Sequence, residues 1–252
     1  SQYWGKRQTE PMKKISATAM HAGLLIAILL FALVSIFPRQ AVGIFTTEES
    51  IIREGVSYLS IIRFTYLFFA VTQILLATLR SVEVVKIAFY LSVMTFFVNC
   101  GINYVLIYGH FGAPEMGAAG AAIGTLAARM TELVVLIIYI IKKEKQLHLS
   151  IRSYLQHDRV LSGDYFRVTA PMLVVQGLWG VNTALQTVIL GHMTAAAIAA
   201  NSVASTIFMM VKSMAVGAAS TASIIIGNTI GTGDIALVKK YSGRLQRIFV
   251  VI

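Results

Sequence analysis

Charge is scarce in this chain. Only 13% of its 252 residues are Asp, Glu, Lys or Arg, against about 25% in a soluble domain. Apolar residues make up 57%, and mean hydropathy is +0.75. Too little polar surface remains to coat a water-soluble body, which excludes a cytosolic enzyme, a secreted disulfide scaffold and a nucleic-acid reader. Cysteine is limited to Cys100, inside an apolar run, so there is no disulfide framework. Acids are few, eleven against twenty-one Lys and Arg. The resulting +10 would suggest nucleic acid in a soluble protein; in a membrane protein the placement of the charges matters more than their sum. Metalloprotease, nucleophile-elbow, phosphate-loop and dinucleotide patterns are all missing. No catalytic residue, metal ligand or cofactor site is read, and no nucleic-acid partner.

What the chain has is length of apolar sequence. A helix crossing the hydrocarbon layer needs about 20 residues. The runs Ile15–Phe37, Gly55–Leu79, Ile87–Gly109, Gly117–Ile141, Val168–Leu190 and Ala195–Ile226 each supply that, and another starts near Tyr241. They are too long and too uniformly apolar for barrel strands of about 10 residues. The expectation is an all-α membrane protein with six full transmembrane helices plus a truncated seventh, the lipid bilayer being its solvent. Ala195–Ile226 exceeds the bilayer and should tilt, kink or protrude. Ser1–Lys14 is polar and basic and leads into a run too long for a signal peptide. The chain opens without Met and stops inside an apolar run, which reads as a fragment.

Lys and Arg predict the orientation. Ser1–Lys14, Arg80–Lys86, Lys142–Arg167 and Gly227–Arg247 fall on one side by alternation and hold sixteen basic residues. The opposite segments hold Arg39 and Arg53 only. By the positive-inside rule the N-terminus is expected in the cytoplasm. A weak internal repeat accompanies this. Gln2-Tyr3-Trp4-Gly5 with Lys13-Lys14 matches Asn228-Thr229-Ile230-Gly231 with Lys239-Lys240, every pair offset by 226 residues. Six crossings separate the two loops, so parallel repeats of six helices are expected, with about twelve helices in the complete protein. The polar, basic stretch Lys142–Tyr165 is the natural boundary: 1–141 in one lobe, 142–165 an interlobe linker, 166–252 in the other. Within it, Leu147–Leu161 reads either as a short interfacial helix with Leu149, Ile151, Leu155 and Val160 against headgroups, or as a solvated linker.

Polar residues inside the runs are the candidate site. At 100° per residue, Gln176, Trp179, Asn182, Thr183, Gln186 and Thr187 fall within roughly a 140° arc of one helix. Such a stripe avoids lipid and faces either water in a cavity or partner helices. Trp179 could stack on an aromatic or cationic ligand, or simply pack. Pro171 should bend or start this helix. Asn201, Ser205 and Lys212 share a face of the next run. Lys212 could couple to protons or reach a carbonyl or carboxylate, and Met209, Met210 and Met214 offer an adaptable apolar surface. Arg63 shares a face with Tyr66, Ala70 and Gln73 and is expected to snorkel outward. Arg129 and Glu132 stand at i, i+3 and can pair; Glu132, the only acid in the six runs, is otherwise a candidate for ion coupling. Asn99 and Asn103 at i, i+4 either join helices or contact a ligand. Gly120 and Gly124 allow close helix approach. His21 reads as hydrogen-bonded filler, and His110 and His192 as outer-loop residues.

The stretch NCGINYVLIYGHFGAPEMGAAGAA over residues 99–122 resembles helices five and six of multidrug and toxic compound extrusion (MATE) transporters. Ala199-Ala200-Asn201 and GAASTASIIIGNTIGTGD over residues 217–234 are similar to the family's eighth helix and following loop, and Tyr58-Leu59 and Leu79-Arg80 sit where its fourth helix carries them. The resemblance covers essentially the whole chain, from the loop after helix two to the start of helix nine. It implies two six-helix lobes around a central cavity, a monomer in the cytoplasmic membrane, and export of drugs or organic cations driven by sodium or proton antiport. It also implies an ion-coupling carboxylate on a first helix outside this chain; the acid some members carry on the seventh helix has no counterpart in Val168–Leu190. The site residues expected to contact substrate are Gln176, Trp179, Asn182, Gln186, Asn201, Lys212, Asn99 and Asn103. Two other readings stand beside this one: a lipid-linked oligosaccharide flippase of the same superfamily, which would want a broad cationic groove, and an intramembrane lipid-modifying enzyme, which would want an acid–base or metal constellation.

Overall fold

The computed structural model describes residues 1–144, 147, 151–154, 158–191 and 193–251. Among them every regular element is helical: α1 (Gln2–Gly5), α2 (Thr9–Ile36), α3 (Pro38–Gly43), α4 (Glu49–Ile62), α5 (Thr65–Ser81), α6 (Lys86–Tyr108), a 3₁₀ turn (His110–Gly112), α7 (Gly117–Lys143), α8 (Ile151–Tyr154), α9 (Arg159–Gly191), α10 (Ala195–Thr232) and α11 (Ile235–Val251). Five of these, α2, α6, α7, α9 and α10, are long and apolar enough to span a bilayer, and α4 with α5 makes a sixth when taken as one span bent by 47°. The expected all-helical membrane fold is what is observed.

Several boundaries differ from the apolar runs. The bend between α4 and α5 falls at Arg63-Phe64, with no Pro or Gly there to announce it. Instead the Thr65 hydroxyl donates to the Ile62 carbonyl at 2.6 Å, and the Arg63 guanidinium packs 5.5 Å from the Phe31 ring and 5.2 Å from the Phe64 ring. Arg63 is therefore held against two aromatic rings. Helix α9 begins at Arg159, well before Val168, because the Asp158 carboxylate accepts from the backbone N–H groups of Val160 and Leu161 and caps it. It runs on through Pro171 without a break. Helix α10 continues past Ile226 to Thr232 and closes on Gly233, whose φ of +81° suits glycine. Helix α11 starts at Ile235, ahead of Tyr241, and is not among the helices apolar and long enough to span.

The core lies where α2, α5, α6 and α7 meet, around Met20, Leu75, Leu76, Leu79, Leu91 and Leu136. α7 approaches α6 through glycine: a Cβ on Gly120 would stand 2.8 Å from the Leu106 backbone. This is the close approach that the Gly120/Gly124 spacing predicts. The turn joining these helices is fixed by the Met116 N–H donating to the Leu106 carbonyl at 2.8 Å. Among its described residues the linker is neither one helix nor wholly exposed to solvent. Leu147 is buried against Met12 and Val82, and the Tyr154 hydroxyl lies 3.4 Å from the Ser16 hydroxyl, which shares a 2.7 Å bond with Thr78. Helix is interrupted at Asp158, Val160 is exposed, and Leu149 and Leu155 lie outside the described residues. The start of α9 is tied to α2 by Lys14–Asp158 at 3.0 Å and Thr18–Ser162 at 2.9 Å.

Candidate functional site

Beyond that anchored start, α9 and α10 stand largely apart from the other helices, and most of their residues are exposed in this chain. Near the loop that joins them lies an open cleft of about 800 Å³. Thr187 from α9 and Asn201, Ser205, Met209 and Met210 from α10 line it, with Phe45 at its end. Polar groups are thus spaced along a wall that is otherwise apolar, and the two methionines supply pliable surface.

Of the α9 stripe, only Thr187 faces that cleft. Thr183 and Thr187 direct their hydroxyls at carbonyls of their own helix, Trp179 and Thr183, at 3.0 Å each. Gln176, Asn182 and Gln186 are exposed, outside the cleft lining. Trp179 is engaged by Lys212, whose Nζ lies 3.1 Å from the ring centroid. This contact across α9 and α10 joins two residues that were read separately in the sequence. It shows that the indole face accepts a cation at this position, an interaction worth about 0.5–2 kcal/mol according to desolvation.

A second polar group sits between α6 and α7. Asn99 Nδ2 donates to Thr125 Oγ1 at 3.3 Å, and Asn103 Nδ2 donates to Asn99 Oδ1 at 3.0 Å. Asn103 Oδ1 is buried against Gly124 with no hydrogen-bond partner. The amides join two helices, and one acceptor is left over. Thr125 was not legible as a partner, since nothing in its spacing marks it.

Nearby, Arg129 Nη1 donates to Glu132 Oε2 at 2.6 Å, and the guanidinium sits 5.0 Å from the Phe69 ring centroid. Together with Gln73, Arg80, Asn99 and Thr125 they line a second cleft of about 590 Å³ between α5, α6 and α7. The pairing expected from the i, i+3 spacing is present. Among the histidines, His110 stacks on Tyr104 with ring centroids 4.3 Å apart, His21 is exposed on α2, and His192 lies outside the described residues.

The chain is a polytopic helical bundle with polar side chains set into clefts. The MatE family model matches residues 1–105. The chain is similar to the probable multidrug resistance protein YoeA of Bacillus subtilis, 26% identical over 95% of this chain and 52% of the relative. It is also similar to the probable multidrug resistance protein NorM of Streptococcus pneumoniae, 33% identical over 46% of this chain and 26% of the relative. The eukaryotic MATE transporter AtDTX14 superposes with a TM-score of 0.76 at 17% identity, covering 98% of this chain and 54% of that one. The family model thus covers the first 105 residues, and the chain spans about half or less of the length of these relatives.

Proposed function

We propose that the complete protein is a secondary active exporter of drugs or organic cations, using a sodium or proton gradient and alternating access between two lobes. In this reading residues 1–141 belong to one lobe, 142–165 link them, and 166–252 belong to the other. The protein works as a monomer in the cytoplasmic membrane, with Ser1 on the cytoplasmic side, as the basic residues favour. It needs no resident cofactor.

The observation that carries the reading is Lys212 resting on Trp179. A flat cationic substrate entering between α9 and α10 meets the same indole face and competes with the ammonium for it. Asn201, Ser205, Met209 and Met210 line the cleft nearer the α9–α10 loop, of which Trp179 and Lys212 are not part, and offer the substrate a second, pliable contact surface. On the other side, the unpartnered Asn103 Oδ1 is an acceptor that a coupling cation, or a hydroxyl donor, would satisfy. The names of the relatives support multidrug substrates.

The test is efflux of a fluorescent organic cation from vesicles holding the full-length protein, under a sodium gradient or a proton gradient applied separately. Trp179→Ala should lower efflux about tenfold at equal abundance, since losing an aromatic contact of 1–2 kcal/mol weakens binding by roughly that factor. Lys212→Met should raise apparent affinity for the cation by removing its competitor. Unchanged efflux in both variants refutes the site; no efflux under either gradient refutes the transport reading.

A further inference from the structure

The turn between α6 and α7 takes left-handed backbone at Gly109, Phe111 and Gly112, with φ of +68°, +59° and +79°. Glycine adopts this conformation freely. For Phe111 it is costly, because its Cβ crowds the following carbonyl, and its ring is 90% exposed. Glycine would make the same turn without that cost, so the ring, not the turn, accounts for phenylalanine here. Beside it the His110 ring stacks on Tyr104, with 4.3 Å between centroids, and Tyr108 lies 6.1 Å from the same imidazole. The cluster ends a longer stripe. At 100° per residue, Tyr90, Phe97, Tyr104 and Tyr108 fall within roughly a 40° arc of α6, and all four are exposed. Asn99, which bonds Thr125 of α7, lies on the opposite side of the same wheel. The stripe is therefore turned away from α7.

We propose that this turn is a membrane-interface anchor: Phe111 enters the boundary between headgroups and acyl chains of the leaflet opposite the linker, collared by Tyr104, Tyr108 and His110, and sets the depth of α6. The inference rests on α6 spanning a bilayer and not on the transport reading above. Length places the turn. Helix α6 starts at Lys86, close to Val82, against which Leu147 of the linker is buried. Its 23 residues rise about 35 Å at ~1.5 Å each, slightly more than the ~30 Å hydrocarbon layer. With Lys86 at one boundary, Tyr108 reaches the other, and Tyr104 stands about one helical turn inside it. Composition fits the same depth. Tyrosine and histidine rings have an apolar body and a polar tip, which suits them to the ester and headgroup oxygens found there. The turn His110–Met116 has no Lys or Arg and one acid, Glu115. Attraction to anionic headgroups therefore does not hold it at the surface; removal of the phenyl ring from water does. That removal offsets the left-handed backbone of Phe111.

The experiment uses the full-length protein in phosphatidylcholine liposomes, with one nitroxide-labelled cysteine in a background free of others. It reads collisions of the label with oxygen, which concentrates among acyl chains, and with a water-soluble nickel chelate. With Phe111→Cys the oxygen-to-nickel ratio should be at least about threefold higher than with Thr47→Cys, an exposed loop position at the same end of the bundle. A ratio equal to that of Thr47→Cys puts residue 111 in water and overturns the anchor. Few collisions with either reagent mean that protein covers the residue, which also overturns it. A second label, on Cys100 itself, reads the depth of α6, where that residue is exposed. Phe111→Asp suits left-handed backbone but not the interface, so α6 should move toward water and the Cys100 ratio should fall at least about 1.5-fold. Phe111→Trp suits the interface and should leave the ratio unchanged. A ratio unmoved by Phe111→Asp overturns the depth-setting role. So does an equal fall in Phe111→Trp, which would mark a turn disrupted by any replacement. Neither readout contains a transport step, so a protein that moves no cation sinks the transport reading and leaves this test standing.

Discussion

The pair Arg129–Glu132 should respond asymmetrically to the loss of either partner. Its geometry is good, with Nη1 2.6 Å from Oε2, but the two side chains are not equally shielded: Glu132 is 5% exposed and Arg129 34%. Removing one member of a buried ion pair costs about 3–5 kcal/mol, because the other is left uncompensated. Arg129→Met leaves the buried carboxylate without its counter-ion and should cost about 3 kcal/mol. Glu132→Gln leaves a cation that is one-third exposed and still over Phe69; the amide oxygen also remains an acceptor, so the cost should be about 1 kcal/mol once screening is allowed for. In Arg129→Met/Glu132→Gln no buried charge is left, and the double variant should recover 1–2 kcal/mol relative to Arg129→Met alone. Unfolding of the full-length protein in mixed micelles, titrated with dodecyl sulfate and followed by helical circular dichroism, gives all three values. If Glu132→Gln is the costlier change, or if the two single effects simply add, the pair does not hold α7 in the way its burial indicates.

Two further outcomes follow from local geometry. Gly120→Val should destabilise by about 1–3 kcal/mol, since its side chain would overlap the Leu106 backbone. Gly101→Ala, on α6 with nothing within 4 Å of the added methyl, should be neutral or stabilising by up to about 1 kcal/mol; thermal unfolding in detergent separates them, and equal shifts would refute the packing argument. The Asp158 carboxyl is held below its ordinary value, first by the Lys14 hydrogen bond and then by the N–H groups of Leu161 and Val160. A lowered folded value means the stabilisation is fully present above the ordinary aspartate range and is lost as pH falls through the depressed one. The thermal stability difference between the unmodified protein and Asp158→Asn should therefore shrink toward acid pH. A difference that widens on acidification would show that the carboxylate is not what holds the start of α9.

Periodicity and composition made the helices legible, and with them the pairing of Arg129 with Glu132, because both members lie on one helix and local geometry brings them together. The helix start at Asp158 was also open to reading, as an acid ahead of an apolar stretch is an N-cap signal. The bend at Arg63-Phe64 was not, because no Pro or Gly marks it and the Phe31 ring that Arg63 packs against lies on another helix. The same holds for Asn99 with Thr125 and for Lys212 with Trp179: each polar atom was visible, and its partner lay across a helix crossing that no spacing encodes. A helical wheel assigns an angle, not a neighbour. It grouped Thr183 and Thr187 with the amides of the α9 stripe, yet their hydroxyls turn back on their own helix while Gln176, Asn182 and Gln186 stay open.

The 226-residue offset is the instructive exception. Three identities in the loops were weak evidence as letters, but the fold turns them into a constraint. Gly5 and Gly231 correspond because they touch each other, and each must be glycine for the other's backbone to fit. A repeat whose equivalent positions meet at the symmetry axis keeps its small residues there, whereas positions away from the axis are free to diverge. The glycine pair matches across the offset while Tyr3 and Trp4 do not match Thr229 and Ile230, so a faint match in sequence marks the place where the two ends of this chain come into contact.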